Sequence, residues 1–497
     1  MKPLGEWLQR ALALHQQGQA DEAEKLYAKV LKADRRNFDA LHLLGLLKHQ
    51  QGHRDEGLRL IGAALKIKPN NADALLNYGG ILCALQRHEE ALGQYERAVA
   101  LSPQSARALN HQGNVLAVLR RLDEALTCFD RALTLDPRHV NTLVNRAYVL
   151  LELGRYVEAI ADYERALKLR PDDPDSQQYL AFAEFGMGNF ASAWKQYEWR
   201  WRLPNAIVAR HGSLPRWNGG DVHGALLAWG EQGLGDEIIY TSMMTDLAQR
   251  AKSVVLEIDP RMKKLMARSF PGVQVVGRGE PLPLGVTAQS PLPSLGQHLR
   301  HDWESFARPN AAYLVADADL AGRLRARLSP NGEAIIGVSW ISKSPAFGEF
   351  KTARLADFES ILRRPHSRCV DLQYGDTLAE REAVTQATGI TVERLADIDN
   401  TNDIDGLAAL ITACDLVVTV SNSTAHLAGA LGTPTLLLLP QSRGRLWYWF
   451  NDRNDSPWYP SMRIERQKVG QSWKELIVGA SDQVAALLRQ ARAGQTG

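Results

Sequence analysis

The chain has 497 residues, more than one hydrophobic core ordinarily serves, so about three domains of usual size are expected. Hydrophobic residues make up 45% and charged residues 23%, with Lys+Arg 58 against Asp+Glu 56; this excludes a disordered chain and gives no electrostatic reason to bind nucleic acid. Cys83, Cys128, Cys369 and Cys414 lie far apart without CxxC or Cys/His spacing, which argues against structural zinc or a disulfide framework and for a reducing, cytoplasmic setting.

The opening run MKPLGEWLQRALALHQQGQADEAEK turns polar before any long apolar stretch accumulates, so neither a signal peptide nor a membrane span is expected. From there to about residue 203, Pro69, Pro103, Pro137 and Pro171 recur every 34 residues. In the same phase stand small residues (Ala23, Gly57, Ala91, Ala125, Ala159, Ala193) and, four positions later, large ones (Tyr27, Ile61, Tyr95, Phe129, Tyr163, Tyr197). Gly45, Gly79, Gly113 and Ala147 supply the matching small position on the first helix of each pair, and each proline stops a second helix because it cannot continue one. This pattern closely resembles the tetratricopeptide repeat (TPR). The resemblance implies an all-α superhelix of about six units over residues 1–203, each leaning on its neighbours, with a concave groove for a protein partner.

Candidate groove residues are Asn77, His111 and Asn145, with Asn110 and Asn114 nearby. Side-chain amides can clamp an extended peptide, and O-GlcNAc transferase, whose architecture this chain resembles, uses such a ladder; a merely solvated polar face fits the residues as well. The run WKQYEWRWRLP, with Trp194, Trp199 and Trp201, departs from the repeat and reads as a cap docking onto the next domain.

A linker is expected over 204–221, after which the period of 34 vanishes and strands alternate with helices, the pattern of a parallel α/β region. A first lobe over 222–325 opens with the strand ALLAWG, the turn EQGLGDE and a helix from about 237 to 250. A segment rich in Pro, Ser and Gly, from Pro281 to about Pro309, belongs to no periodic element and is expected beside a cleft. A second lobe over 326–497 carries AIIGVSW, RCVDLQY, DLVVTV, the helix STAHLAGALG and the strand TLLLLP; a last helix opens at the capping box Ser472/Glu475 and is expected to return to the first lobe.

Three stretches carry candidate chemistry. In VVTVSNSTAHLAGALG, a helix starting near Ser423 aims free N–H groups and a positive dipole end outward, which suits a diphosphate. Ser421, Asn422, Ser423 and Thr424 add donors and His426 sits in the first turn; plain helix capping and a core histidine are the competing readings. In QGLGDE, Gly233 and Gly235 permit a tight strand-to-helix turn that exposes Asp236, with Glu237 as a weaker rival. An Asp of ordinary pKa is ionised at neutral pH and suits a general base; it also suits a helix cap. In GVSWISKSPAFGEFKTARLADF, Lys351 precedes Phe358 by seven positions, with Ser339 and Lys343 as further candidates; Gln373 and Tyr374 come after the strand RCVDL.

These stretches resemble the heptosyltransferase-like glycosyltransferases and especially their bacterial TPR-fused members, some of which modify flagellins. The resemblance covers nearly the whole chain. It implies a GT-B layout of two Rossmann-like lobes with the site between them, Asp236 as base, and Lys351 and the 421–426 segment on the donor's diphosphate; Gln373 and Tyr374, just past the strand RCVDL, are placed to contact base or ribose. Gly233, Gly235 and Glu237 then fall on the acceptor side. Heptosyltransferases usually carry Asp where Ser421 stands, so heptose is not implied. The pairs Asp317/Asp319, Asp397/Asp399 and Asp403/Asp405 do not read as metal sites, the first and last falling at helix starts. The expectation is therefore a glycosyltransferase, inverting and metal-independent. It uses a nucleotide-sugar as substrate and needs no cofactor, and it acts on Ser or Thr hydroxyls of a docked protein. A non-catalytic interaction scaffold and a transferase for an envelope glycolipid are the alternatives.

Overall fold

The computed structural model describes residues 2–307, 312–345, 347–441 and 446–493. Two compact units divide the chain, Met1–Ser176 and Gln177–Gly497.

The first unit is a TPR superhelix. Its helices are α1 (Lys2–Gln16), α2 (Ala20–Ala33), α3 (Phe38–Gln50), α4 (Arg54–Ile67), α5 (Ala72–Ala84), α6 (His88–Leu101), α7 (Ala106–Val118), α8 (Leu122–Leu135), α9 (Val140–Glu152) and α10 (Tyr156–Leu169). The small positions do what their size permits. A Cβ on Gly45 would lie 2.6 Å from Ile61, one on Gly79 would lie 2.5 Å from Tyr95, and one on Gly113 would lie 2.5 Å from Phe129. The prolines stand two residues beyond α4, α6, α8 and α10, after a terminating residue turned out of the helical region. Asn37, Asn71, Ser105 and His139, also 34 apart, cap α3, α5, α7 and α9 by accepting an N–H three residues on. Between the paired helices the chain turns through a left-handed residue at Gly18, Gly52, Gln86, Arg120 and Gly154.

The second unit begins inside α11 (Pro174–Met187), which pairs with α12 (Phe190–Tyr197). The expected solenoid end at 203 thus falls within this unit, because Phe185, Phe190, Trp194 and Tyr197 are buried in its largest core. Beyond these helices lie two parallel sheets. The first has the order β3-β2-β1-β4, from β1 (Ala225–Trp229), β2 (Val254–Ile258), β3 (Gln274–Gly277) and β4 (Val286–Pro291). The helices α13 (Leu234–Thr241), α14 (Met244–Arg250), α15 (Lys263–Ser269) and α16 (Gly296–Leu299) belong to this stretch. The segment expected to be irregular from Pro281 onward instead contains β4, which pairs parallel with β1 and is buried at Gln289, Ser290 and Pro291; its expected end at Pro309 lies outside the described residues.

The second sheet has the order β10-β9-β8-β5-β6-β7, from β5 (Ala334–Ser339), β6 (Ser367–Asp371), β7 (Val392–Glu393), β8 (Leu416–Val420), β9 (Thr435–Leu439) and β10 (Met462–Arg466). Strands β5, β8 and β9 are buried at every residue, which is why they read as unbroken apolar runs. Its helices are α17 (Ala318–Leu328), α18 (Glu359–Leu362), α19 (Leu378–Thr388), α20 (Ile404–Ala413), α21 (Ser423–Ala430), α22 (Trp473–Gly479) and α23 (Ser481–Ala493). Helix α17 packs on α20, so this part of the expected first lobe belongs with the second sheet. The final helices do not return to the first lobe. Their apolar stripe of Leu476, Ile477, Val484 and Leu488 is buried with Ile336, Val338, Leu416 and Val418 on a face of the second sheet that offers a matching apolar surface.

Candidate functional site between the two sheets

In each sheet one central strand is flanked by strands that leave it in opposite directions, and ligands of open α/β sheets bind beyond the carboxyl ends of such strands. The loop after β1 leads into α13, and the loops after β5 and β8 lead to residues 340–352 and into α21. All three border one cavity of about 720 Å³, whose lining includes Asp236, Lys343, Lys351, Tyr374, Ser421, Asn422, Ser423 and His426.

Asp236 is the third residue of α13, whose cap is Gly233. Neither Gly233 nor Gly235 has positive φ, so neither is needed for a left-handed turn. Gly235 is needed for close approach instead: a Cβ there would lie 2.8 Å from His426 Cδ2 on α21. The Asp236 carboxyl is raised to about 6 by burial first and then by the negative charge of Glu231, against the pull of Lys351 and the N–H groups of Gly233 and Asp236 itself. The ordinary pKa expected from sequence is therefore corrected. A base titrating near 6 remains mostly ionised at neutral pH and is a stronger proton acceptor.

Glu237 is no rival. It is buried outside the cavity, where its carboxylate accepts the Asp259 N–H at 2.9 Å and pairs with Arg278. Helical geometry turns consecutive residues about 100° apart, which sends Asp236 to the cavity and Glu237 toward the first sheet.

Lys351 is 4% exposed, and no hydrogen bond or ion pair ties its ammonium among the described residues. Burial lowers its pKa, while the Asp236 carboxylate raises it. Lys343 and Arg261 add cations to the lining. Arg261 is held by Asp259 and reaches across to donate to the Thr401 carbonyl at 2.9 Å. Nothing in the spacing of Arg261 marked it out.

The 421–426 segment divides between support and contact. Asn422 caps α21 by accepting the Ala425 N–H at 3.2 Å, and its amide donates to Ser339 Oγ at 2.8 Å and the Ile341 carbonyl at 3.0 Å. Both ends of that side chain are therefore committed, which corrects its reading as a free phosphate donor. Thr424 is buried with its hydroxyl near Ser339 and the Leu372 carbonyl. Gln373 Oε1 accepts from Ser339 Oγ and the N–H groups of Trp340 and Ile341 at 2.8–2.9 Å. Ser339, Thr424 and Gln373 are thus corrected from ligand contacts to a buried knot that fixes the two loops. Tyr374 does reach the cavity, its hydroxyl accepting the Lys343 N–H at 2.8 Å. Ser423, the first residue of α21, reaches it too.

Ser421 Oγ accepts a 3.0 Å hydrogen bond from Trp449 Nε1. His426 stacks on the Trp449 ring at 4.9 Å and bonds Tyr459 through Nδ1 at 2.9 Å. Burial, with Lys351 second, pushes its pKa down to about 3, so it is a neutral imidazole at working pH. Behind Asp236, Glu231 is paired with the buried Arg200 at 2.7 Å, and Arg200 also binds Glu198 and Ser294. The WRWR run held that signal. The acidic pairs serve locally: Asp317 caps α17 and Asp403 caps α20.

In the first unit the expected ladder is largely spent between repeats. Asn77 bonds His42 at 2.9 Å, and Asn145 donates to Asn110 at 2.9 Å. Asn110 is 5% exposed and also accepts from Thr142, so it is an internal bridge, not a groove contact. His111 is half-buried and stacks on Tyr95, and Asn114 is half-buried.

The first unit's repeats match the tetratricopeptide repeat family over residues 7–37, 42–106 and 110–174. Repeats of this kind suggest protein–protein interaction. The chain is similar to Protein FlbA of Caulobacter vibrioides, 31% identical over 274 residues, which is 50% of this chain and 44% of that protein; it therefore spans less than half of that relative's length. Among solved structures it is similar to Pseudomonas aeruginosa pilF (22% identity, TM-score 0.38, covering 41% of this chain and 92% of that one). It is also similar to YrrB, described as a TPR protein with an unusual peptide-binding site (24% identity, TM-score 0.30, 34% and 88% covered). No helix among the described residues is long and apolar enough to cross a membrane.

Proposed function

We propose that the second unit is a metal-independent, inverting glycosyltransferase and that the TPR unit recruits its protein acceptor, a flagellin or another surface protein. One observation supports this: Asp236, Lys351 and the start of α21 line the same cavity. In the proposed reaction the Asp236 carboxylate takes the proton of an acceptor Ser or Thr hydroxyl as that oxygen attacks the sugar's anomeric carbon. The bond from that carbon to the diphosphate breaks, and the electron pair leaves with the diphosphate. Lys351 and the α21 N–H groups meet the charge that builds there. The oxygen-to-carbon bond replaces the carbon-to-diphosphate bond, and the proton stays on Asp236.

The test is intact mass spectrometry of candidate acceptors co-expressed with the wild-type chain or with Asp236→Ala. An added sugar mass that disappears with the variant is expected; modification that persists with Asp236→Ala would overturn the assignment. A second reading, a non-catalytic scaffold, draws on one observation: the Ser421 hydroxyl is already engaged by Trp449. Nucleotide binding without any transfer or donor hydrolysis would favour it.

A further inference from the structure

The segment Leu446–Phe450 contains a 3-10 turn over Trp447–Trp449. Trp447 stacks on Phe185 at 3.8 Å, Trp449 stacks on His426, and Leu446 and Tyr448 line the cavity. Arg466 ties the end of the segment by donating to the Trp449 carbonyl at 2.8 Å. Tyr448 is held edge-on to His426 at 5.3 Å and to Trp449 at 5.1 Å, and only 4% of it is exposed. Its hydroxyl has no hydrogen-bond partner among the described residues. A phenylalanine would pack the same faces without leaving an O–H unsatisfied.

We propose that the Tyr448 hydroxyl is a further substrate-contacting group of this site, hydrogen-bonding a hydroxyl of the transferred sugar. This rests on the donor-site reading. Tyr448 touches the same imidazole that Gly235 touches, one residue from Asp236, so it belongs to the end of the cavity where attack occurs. Diphosphate oxygens only accept hydrogen bonds and have cations and helix N–H groups to meet them; a sugar hydroxyl both donates and accepts, as a phenol does. Burial and the neighbouring Asp236 charge keep the phenol protonated far beyond neutral pH, so it acts as a hydrogen-bond partner and not as a second base.

The experiment is calorimetric titration of the full chain with UDP-, GDP- and ADP-sugars and the matching free nucleotides, for wild type and Tyr448→Phe. The variant should bind the preferred sugar nucleotide about tenfold more weakly and its parent nucleotide within about twofold of wild type. Equal weakening of both would show a packing role and overturn the proposal, as would no change in either. Should Tyr448→Phe fail to fold, single-deoxy analogues of the sugar nucleotide decide on wild type: one deoxygenation should cost about tenfold, and indifference to all of them overturns the proposal. If wild type binds no nucleotide of the panel, the donor-site reading fails with it, a pattern distinct from binding that ignores Tyr448.

Discussion

Gly235 and His426 meet across the crevice between the sheets: a single methyl on the glycine would lie 2.8 Å from the imidazole Cδ2 and 3.3 Å from Nε2. Helix α13, which bears Asp236, can therefore pack on α21 only because this residue has no side chain. Gly235→Ala should push the two apart, and since a misplacement of about 1 Å at a reacting centre costs on the order of a hundredfold in rate, transfer should fall steeply. Stability should drop by about 1–3 kcal/mol through overpacking. Steady-state kinetics beside a thermal melt would check both; unchanged turnover would mean the contact has no bearing on the site.

Asp236 sets an acid limb. Its folded-state value of about 6 lies above the ordinary value for Asp, so as pH falls through about 6 the carboxylate takes up a proton and can no longer act as base. Donor turnover should therefore decline below about pH 6 and hold above it. The same raised value means that ionising this group works against the fold as pH rises from about 4 to 6. Asp236→Asn should consequently lose transfer yet melt no lower than wild type at pH 7, gaining about 1–2 kcal/mol after allowance for solvent screening in the cavity. A melting point below wild type would contradict this.

Lys351→Met keeps most of the side chain's volume and removes the charge. Loss of one charge-assisted hydrogen bond, about 1.5–3 kcal/mol, corresponds to about 10–100-fold weaker binding of inorganic pyrophosphate or a nucleoside diphosphate. Because burial lowers the lysine's pKa, its contribution is lost as pH rises through that lowered value, earlier than for an exposed lysine. Affinities that match those of wild type would remove Lys351 from the site.

Gln86 holds φ 61° at a turn where other repeats place Gly18, Gly52 and Gly154. Its side chain is exposed, so Gln86→Gly removes strain without removing packing and should stabilise the first unit by about 1 kcal/mol in a denaturant titration. Destabilisation would show that the glycine's added freedom in the unfolded chain outweighs the strain.

The solenoid was almost fully legible because the small residue at 45, 79 or 113 and the large one sixteen positions later meet physically, which makes the period of 34 a record of contacts. The strands β5, β8 and β9 were legible because burial on both faces leaves almost no polar residue in them. Strand β7 has two residues and β4 mixes Thr, Gln and Ser with Val and Ala, so neither leaves a hydropathy pattern. In the site, Asp236, Lys351 and Ser423 could be placed by motif. The difference between a side chain that faces the cavity and one that braces it, as with Gln373 or Asn422, depends on tertiary hydrogen bonds no spacing encodes. Tyr448 and Arg261 escaped notice because each reaches the cavity from a loop distant in sequence from the other walls.

The four braced side chains carry a thermodynamic consequence. With Ser339, Gln373, Asn422 and Thr424 already bonded to one another and to the backbone, the two loops that would grip a ligand hold their shape before it arrives. Little conformational entropy then remains to be lost on binding, so more of each contact's free energy can appear as affinity.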